Sequence, residues 1–251
     1  MGDTKIAWTD KVWNPVTGCS KVSSGCAHCY AEALSKRFGR SFEVTLYPER
    51  LDEPLHWRKP RRVFVDSMSD TFHGAVPDAF VTRIFGTMAQ CPQHSFQLLT
   101  KRPERMRTYL SAAARPAIIL GASAICTGKT YKPAAIQWPL PNVWLGTSIE
   151  NDRWVGRANA LRDTPAAVRF ISAEPLLGPL PSLDLTGIDW LIIGGESGPK
   201  ARPMDPQWAC DLALTAKEQN IAVFVKQASG PRPGMQSDLP DWVFALREYP
   251  A

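Results

Sequence analysis

Short apolar runs alternate along the chain with segments whose apolar residues recur at helical spacing. Ile6 to Trp13, Val63-Phe-Val65, Phe96-Gln-Leu-Leu99, Val143-Trp-Leu145, Val168-Arg-Phe-Ile171, Trp190-Leu-Ile-Ile193 and Ile221 to Val225 read as strands. Between them, Phe80, Val81, Ile84, Phe85 and Met88 mark one face of a helix starting near Asp78. Trp154, Val155, Ala158 and Leu161 mark a second helix, and Trp208, Leu212 and Ala216 a third. Tyr30, Leu34 and Phe38 follow at four-residue steps in a helix expected from Ala27, with Gly39 placed to end it in a left-handed cap. Pro103 suits the first turn of a helix. Asp205-Pro206 is a strong start signal, an N-cap worth about 1 kcal/mol followed by proline at the first position.

Short continuous apolar strands alternating with amphipathic helices imply a parallel sheet covered by helices. Polar residues cluster just past these runs: Asp70, Lys101, Glu150, Glu174, Glu196 and Lys226. In a parallel barrel the C-terminal strand ends converge on one face, where barrel enzymes do their chemistry. A doubly wound open sheet would gather its ligands at one switch point instead. The expected architecture is therefore an α/β TIM-like parallel barrel, incomplete at six or seven strands. Residues 1–251 are expected to form one domain. Residues 40–62 read as irregular, and residues 115–142, with Gly121, Gly128, Pro133, Pro139 and Pro141, as a long loop.

Composition adds little to the fold. The chain is 44% hydrophobic and 21% charged, which is ordinary for a globular protein. Its 22 prolines in 251 residues, roughly 9% against a typical value of about 5%, fall mostly between apolar runs and suggest stiff connections. The formal charge of +5 permits an anionic partner such as nucleic acid without requiring one. No apolar run approaches the roughly 18–20 residues of a membrane span, so no membrane partner is expected. Met-Gly-Asp-Thr-Lys lacks a signal-peptide core, and the expected location is cytoplasmic. Six cysteines without an export signal point to a reducing compartment, where thiols serve metals or catalysis before disulfides.

Half of those cysteines lie in one loop, residues 14–30, at the spacing C-x6-C-x2-C: Cys19, Cys26 and Cys29, with Gly18 and Gly25 beside the first two. Three readings fit. Structural zinc would need a fourth ligand, and His28 diverges from its neighbour Cys29. A redox pair, Cys26-Ala-His-Cys29, leaves Cys19 without a role. A 4Fe–4S cluster held by three thiolates leaves one iron open, and the glycines let the backbone approach it. Spacing alone leaves zinc and cluster level.

Context carries a resemblance. Trp8-Thr-Asp…Trp13-Asn-Pro-Val-Thr-Gly-Cys19, Val63-Phe-Val-Asp-Ser-Met-Ser-Asp70 and Leu98-Leu-Thr-Lys-Arg-Pro-Glu-Arg105 are three motifs in register. Val143-Trp-Leu-Gly-Thr-Ser-Ile-Glu150, Phe170-Ile-Ser-Ala-Glu-Pro-Leu-Leu177 and Gly194-Gly-Glu-Ser-Gly198 are three more. Together they resemble a phage- and bacterium-encoded three-cysteine family of unassigned function in the radical S-adenosylmethionine superfamily. The chain is more distantly similar to spore photoproduct lyase. The first cysteine gap departs from the superfamily's usual C-x3-C-x2-C.

The resemblance implies a 4Fe–4S cluster on Cys19, Cys26 and Cys29, with S-adenosylmethionine chelating the open iron. One electron, from an external flavodoxin- or ferredoxin-type donor, would cleave the sulfonium to a 5′-deoxyadenosyl radical that abstracts hydrogen from a substrate. It also implies cosubstrate contacts at Ser67, Ser69 or Asp70, at Lys101, at Ser148 and at Glu150. Gly194-Gly195-Glu196 follows the sixth strand, not the second, so the superfamily's glycine-glycine-glutamate role is not assigned to it. Glu174 and Glu196 are expected to meet ribose or substrate, and Arg102, with Arg105 and Arg107, an anionic substrate. Cys126 is a candidate hydrogen-atom donor, whereas Cys91 and Cys210 read as packed thiols. Trp57-Arg-Lys-Pro-Arg-Arg62 reads as a solvated run on the opposite face. The competing expectation is a binding module for nucleic acid or protein, stabilised by zinc or iron–sulfur and without radical chemistry.

Overall fold

A computed structural model describes residues 4–112 and 137–250. Strand β1 (Lys11–Trp13) is followed by a small antiparallel pair, β2 (Val16–Thr17) and β3 (Thr45–Leu46). The remaining strands are β4 (Arg62–Val65), β5 (Ser95–Thr100), β6 (Val143–Ser148), β7 (Val168–Ala173), β8 (Trp190–Gly194) and β9 (Ala222–Gln227). β1 and β4 to β9 form one seven-stranded sheet in chain order, with every neighbouring pair parallel. The helices are α1 (Tyr30–Arg37), α2 (Asp78–Ala89), α3 (Pro103–Leu110), α4 (Arg157–Arg162), α5 (Pro206–Glu218) and α6 (Asp241–Phe244). No helix among the described residues is long and apolar enough to cross a membrane.

The strands are apolar on both faces, as a covered parallel sheet requires. Val63, Val65, Leu98, Leu145, Ile193 and Val225 pack with Ile84, Phe85, Leu161 and Ala213 from the helices in one large core. The alternate positions Phe64, Phe170, Trp190 and Phe224 join Trp8 in a second cluster. Trp8 shows how far the sheet curls. Its ring lies 4.6 Å from Phe64 on β4 and 6.0 Å from Trp190 on β8, although three strands separate β4 from β8. Tyr249 closes the same gap, 5.4 Å from Trp190 and 4.0 Å from the Arg62 guanidinium. The sheet is a curled half-barrel with an aromatic plug. Gly146 makes room for that plug, since a Cβ there would stand 2.5 Å from the Phe170 ring.

Several expectations are met in detail. Asp205 caps α5 by accepting from Gln207 N at 2.9 Å, and Gly39 takes a φ of +62° just past α1. Cys91 and Cys210 are buried.

Others need correction. β1 begins only at Lys11, because Thr9 turns its hydroxyl to the Arg62 carbonyl and Trp8 drops into the plug. α1 begins at Tyr30, and Cys26 sits in a separate 3₁₀ turn (Ser24–Cys26). Its apolar stripe is exposed rather than packed: Tyr30, Leu34 and Phe38 are 54%, 39% and 63% exposed, with the Tyr30 hydroxyl turned to the Ser67 carbonyl at the cavity. The buried side carries Ala31 and Ser35, small residues that let the helix lie close to the barrel mouth. β6 and β7 run to Ser148 and Ala173, longer than their apolar runs. Trp154 falls in a 3₁₀ turn (Asp152–Trp154) ahead of α4. Cys126 and most of the expected loop over 115–142 lie outside the described residues.

Candidate functional site

The cysteine loop lies across the C-terminal mouth of the half-barrel and is tied down along its length. Asn14 anchors its start, with Oδ1 accepting from Ser67 Oγ and Met68 N, both at 3.1 Å. Gly18, at a φ of +83°, passes so close to the Glu43 carbonyl that a side chain there would collide with backbone. Gly18 N donates to Met68 O at 3.0 Å and Cys19 N to Phe42 O at 3.1 Å. Farther on, Ser23 Oγ donates to Glu150, and Gly25 packs directly on that carboxylate. His28 Nδ1 lies 2.8 Å from Glu196 Oε2.

All three thiols border a cavity of ≈ 230 Å³ inside the mouth, and all three also border one of ≈ 630 Å³ on the loop's other side. Among the expected contacts, Ser67, Ser69, Asp70, Lys101, Arg102, Ser148, Glu174 and Glu196 line the inner cavity. The cavity wall thus brings together expected residues that lie far apart in the chain, from Cys19 to Glu196.

Their roles differ from one another. Ser67 and Ser69 bond to Asn14 and to the Val16 carbonyl, so each hydroxyl helps hold the loop. The Asp70 carboxylate accepts from four donors: Thr100 Oγ1 at 2.7 Å, Phe72 N at 2.9 Å, Lys101 N at 3.2 Å and Arg102 Nη1 at 2.8 Å. It organises the strand ends. Glu150 is fully buried, 3.0 Å from Arg157 and 3.9 Å from Lys101. Glu150, an expected cosubstrate contact, lies beneath Gly25, which covers the carboxylate, and it supports the loop from below. Arg105 and Arg107, expected to meet an anionic substrate, lie outside the cavity lining. Arg105 donates to the His73 and Val76 carbonyls and pairs with Asp78, while Arg107 pairs with Asp163 at the surface. Glu174 pairs with Lys226 at 2.5 Å across the mouth.

Electrostatics separates the thiols. Burial raises the Cys19 thiol and the Asp70 carboxylate adds to that, with Arg102 opposing both. Burial also acts to raise Cys26, but backbone donors at Val22 and Ser23, the Lys101 charge and the Ser23 hydroxyl outweigh it, and its net shift is downward. Glu196 is held at about 2, because Arg202 and His28 bond the carboxylate and outweigh its burial.

Sequence reasoning passed over Asp66, Ser172 and Tyr30, which also line the cavity. Ser172 was available from the period of two, since it shares a strand face with Phe170 and Glu174. Asp66 had no such signal. It takes a φ of +55°, accepts from Val16 N at 3.1 Å and Thr71 Oγ1 at 2.5 Å, and burial pushes its carboxyl up to about 7.

Among the described residues, no three His, Cys, Asp or Glu side chains are gathered as a single metal ion would need. No curated protein and no solved structure matches the chain. A family match does cover most of it, residues 3–237. The chain belongs to the family described as "Protein of unknown function (DUF5131)".

Proposed function

We propose that this chain is a radical S-adenosylmethionine enzyme, built on a half-barrel of that superfamily's type and allied to its three-cysteine branch. One observation carries the reading: Cys19, Cys26 and Cys29 together border the cavity into which the ends of the parallel strands open. The donor set fits an iron–sulfur group. These three thiols are partly exposed, unlike Cys91 and Cys210, and glycine replaces bulk where the loop turns tightly.

A 4Fe–4S cluster on the three cysteines, supplied with an electron by a flavodoxin- or ferredoxin-type donor, would provide reductive cleavage of S-adenosylmethionine to a hydrogen-abstracting 5′-deoxyadenosyl radical. The chain's own residues bind and orient. Lys101 offers its ammonium to the cosubstrate carboxylate, and Ser148 offers a hydroxyl from the end of β6. Glu174, at the rim beside Lys226, is placed for ribose or substrate hydroxyls. The plug of Trp8, Phe64, Phe170 and Trp190 closes the barrel below and keeps bulk water from that side. Nucleic acid remains a permitted substrate, given the charge of +5.

Anaerobic purification tests the reading. A brown protein that binds iron and sulfide, and releases 5′-deoxyadenosine from S-adenosylmethionine with dithionite, is the expected outcome. Cys19→Ala is expected to abolish the cluster. A colourless protein that takes up zinc and yields no 5′-deoxyadenosine would sink the proposal in favour of a metal-stabilised binding module.

A further inference from the structure

Resting on that reading, we propose that Arg102 is a positioning residue for Cys19, holding its sulfur at the cavity and raising the reduction potential of a cluster bound there. The guanidinium stands between β5 and α3 and is largely buried. Nη1 lies 2.8 Å from Asp70 Oδ2 and 3.5 Å from Cys19 Sγ. Nη2 lies 3.0 Å from the Ser20 carbonyl and 3.1 Å from Ser20 Oγ. One planar fork therefore grips both the sulfur and the peptide that follows it, a geometry that a lysine ammonium cannot reproduce.

Asp70 fixes the fork from behind. Its carboxylate also accepts from Thr100 and from the Lys101 backbone at the end of β5, so the strand end is linked to Cys19 through one carboxylate and one guanidinium. Both terminal nitrogens are thereby engaged, which disfavours Arg102 as the contact for an anionic substrate. The consequence for redox chemistry is general. Reduction adds negative charge to an iron–sulfur group, and an N–H donor at a ligand sulfur makes that addition easier.

The test compares Arg102→Gln and Arg102→Lys with the unaltered protein, all reconstituted anaerobically and titrated electrochemically with the reduced cluster followed by electron paramagnetic resonance. Arg102→Gln is expected to lower the midpoint potential by at least the equivalent of a tenfold change in the reduction equilibrium, about 59 mV for one electron. Arg102→Lys, which keeps the charge and loses the fork, is expected to shift it in the same direction by less. Arg107→Gln, at a surface ion pair outside the cavity, is expected to leave it unchanged. Full iron content at the unaltered potential in Arg102→Gln overturns the inference, even if S-adenosylmethionine binds less tightly. Should Arg102→Gln lose its cooperative melt, the same result in Arg102→Lys overturns it. An unaltered protein that assembles no iron–sulfur cluster overturns the proposed function, and the inference with it.

Discussion

The inner face of the half-barrel holds two regions that share the same strands and differ in almost everything else. On β7, Phe170 belongs to the aromatic plug, while Ser172 and Glu174, two and four residues later, line the cavity. On β9, Phe224 is in the plug and Lys226 in the mouth. A two-residue step along a strand keeps the side chain on one face and moves it about 6–7 Å toward the strand's end. That step is the distance between a layer that stabilises the barrel and a layer that presents polar groups. The plug is mostly aromatic, with Gln97 bonded to the Trp8 carbonyl, so its contribution largely follows buried area. The mouth contains carboxylates, hydroxyls and ammonium groups held in fixed pairs, which is an arrangement suited to binding.

If that division is right, damage to the plug should cost stability without touching the chemistry of the mouth. Trp190 is fully buried, meets Trp8, Phe170, Phe224 and Tyr249, and donates Nε1 to the Glu248 carbonyl at 2.9 Å. Trp190→Ala is expected to cost about 3–5 kcal/mol in urea unfolding and, on the proposed function, to leave iron bound per folded chain unchanged. A loss below about 1 kcal/mol would mean the plug does not hold the curl.

The second expectation concerns pH, where two carboxyls at the mouth act in opposite directions. Asp66 is pushed up to about 7, against about 3.9 when unfolded. Its protonated form favours the fold, so its contribution is complete below about pH 4 and is lost as pH rises through 7. Glu196 is held at about 2, so its contribution is present above about pH 4.3 and is lost as pH falls toward 2. Asp66→Asn is expected to flatten the decline in urea midpoint between pH 4 and 7, and Glu196→Gln to flatten the decline on the acid side. A decline unchanged in both variants would place the titrating groups elsewhere.

Gly146→Ala gives a smaller effect with a sharper meaning. The added methyl meets the Phe170 ring at the boundary between plug and mouth, and the expected cost is about 1–3 kcal/mol by thermal or urea melt. A neutral result would show that the ring can shift upward into the cavity.

How much of this was legible in the chain depends on the kind of contact. Apolar runs such as Trp190–Ile193 and helix faces such as Phe80 to Met88 declare themselves locally, because burial imposes their period. The cysteine loop and the residues just past the strands were legible for the same reason, since a parallel sheet gathers its strand ends. Contacts across the barrel were not. Nothing near Trp8 says that it will touch Trp190, and nothing near Glu150 says that Gly25 will cover it. Tyr30, Leu34 and Phe38 have the spacing of a buried stripe, yet α1 turns Ala31 and Ser35 inward because close approach to the mouth favours small side chains. Arg102 read as a contact for an anionic substrate because sequence cannot show Asp70 and Cys19 converging on it.

The finest test of the division is the Glu174–Lys226 pair, 2.5 Å apart with about a fifth of each side chain exposed. If the pair belongs to a binding surface, solvent screens it and Glu174→Gln costs less than about 1 kcal/mol of stability. The same variant should weaken cosubstrate or substrate use about tenfold, a change of about 1.4 kcal/mol in binding, read as KM against kcat in 5′-deoxyadenosine release. A buried structural bridge behaves the other way: removing one partner strands the other charge and costs about 3–5 kcal/mol. A melt displaced that far, with KM unmoved, would extend the stabilising layer up to the rim and confine chemistry to the cysteine side of the mouth.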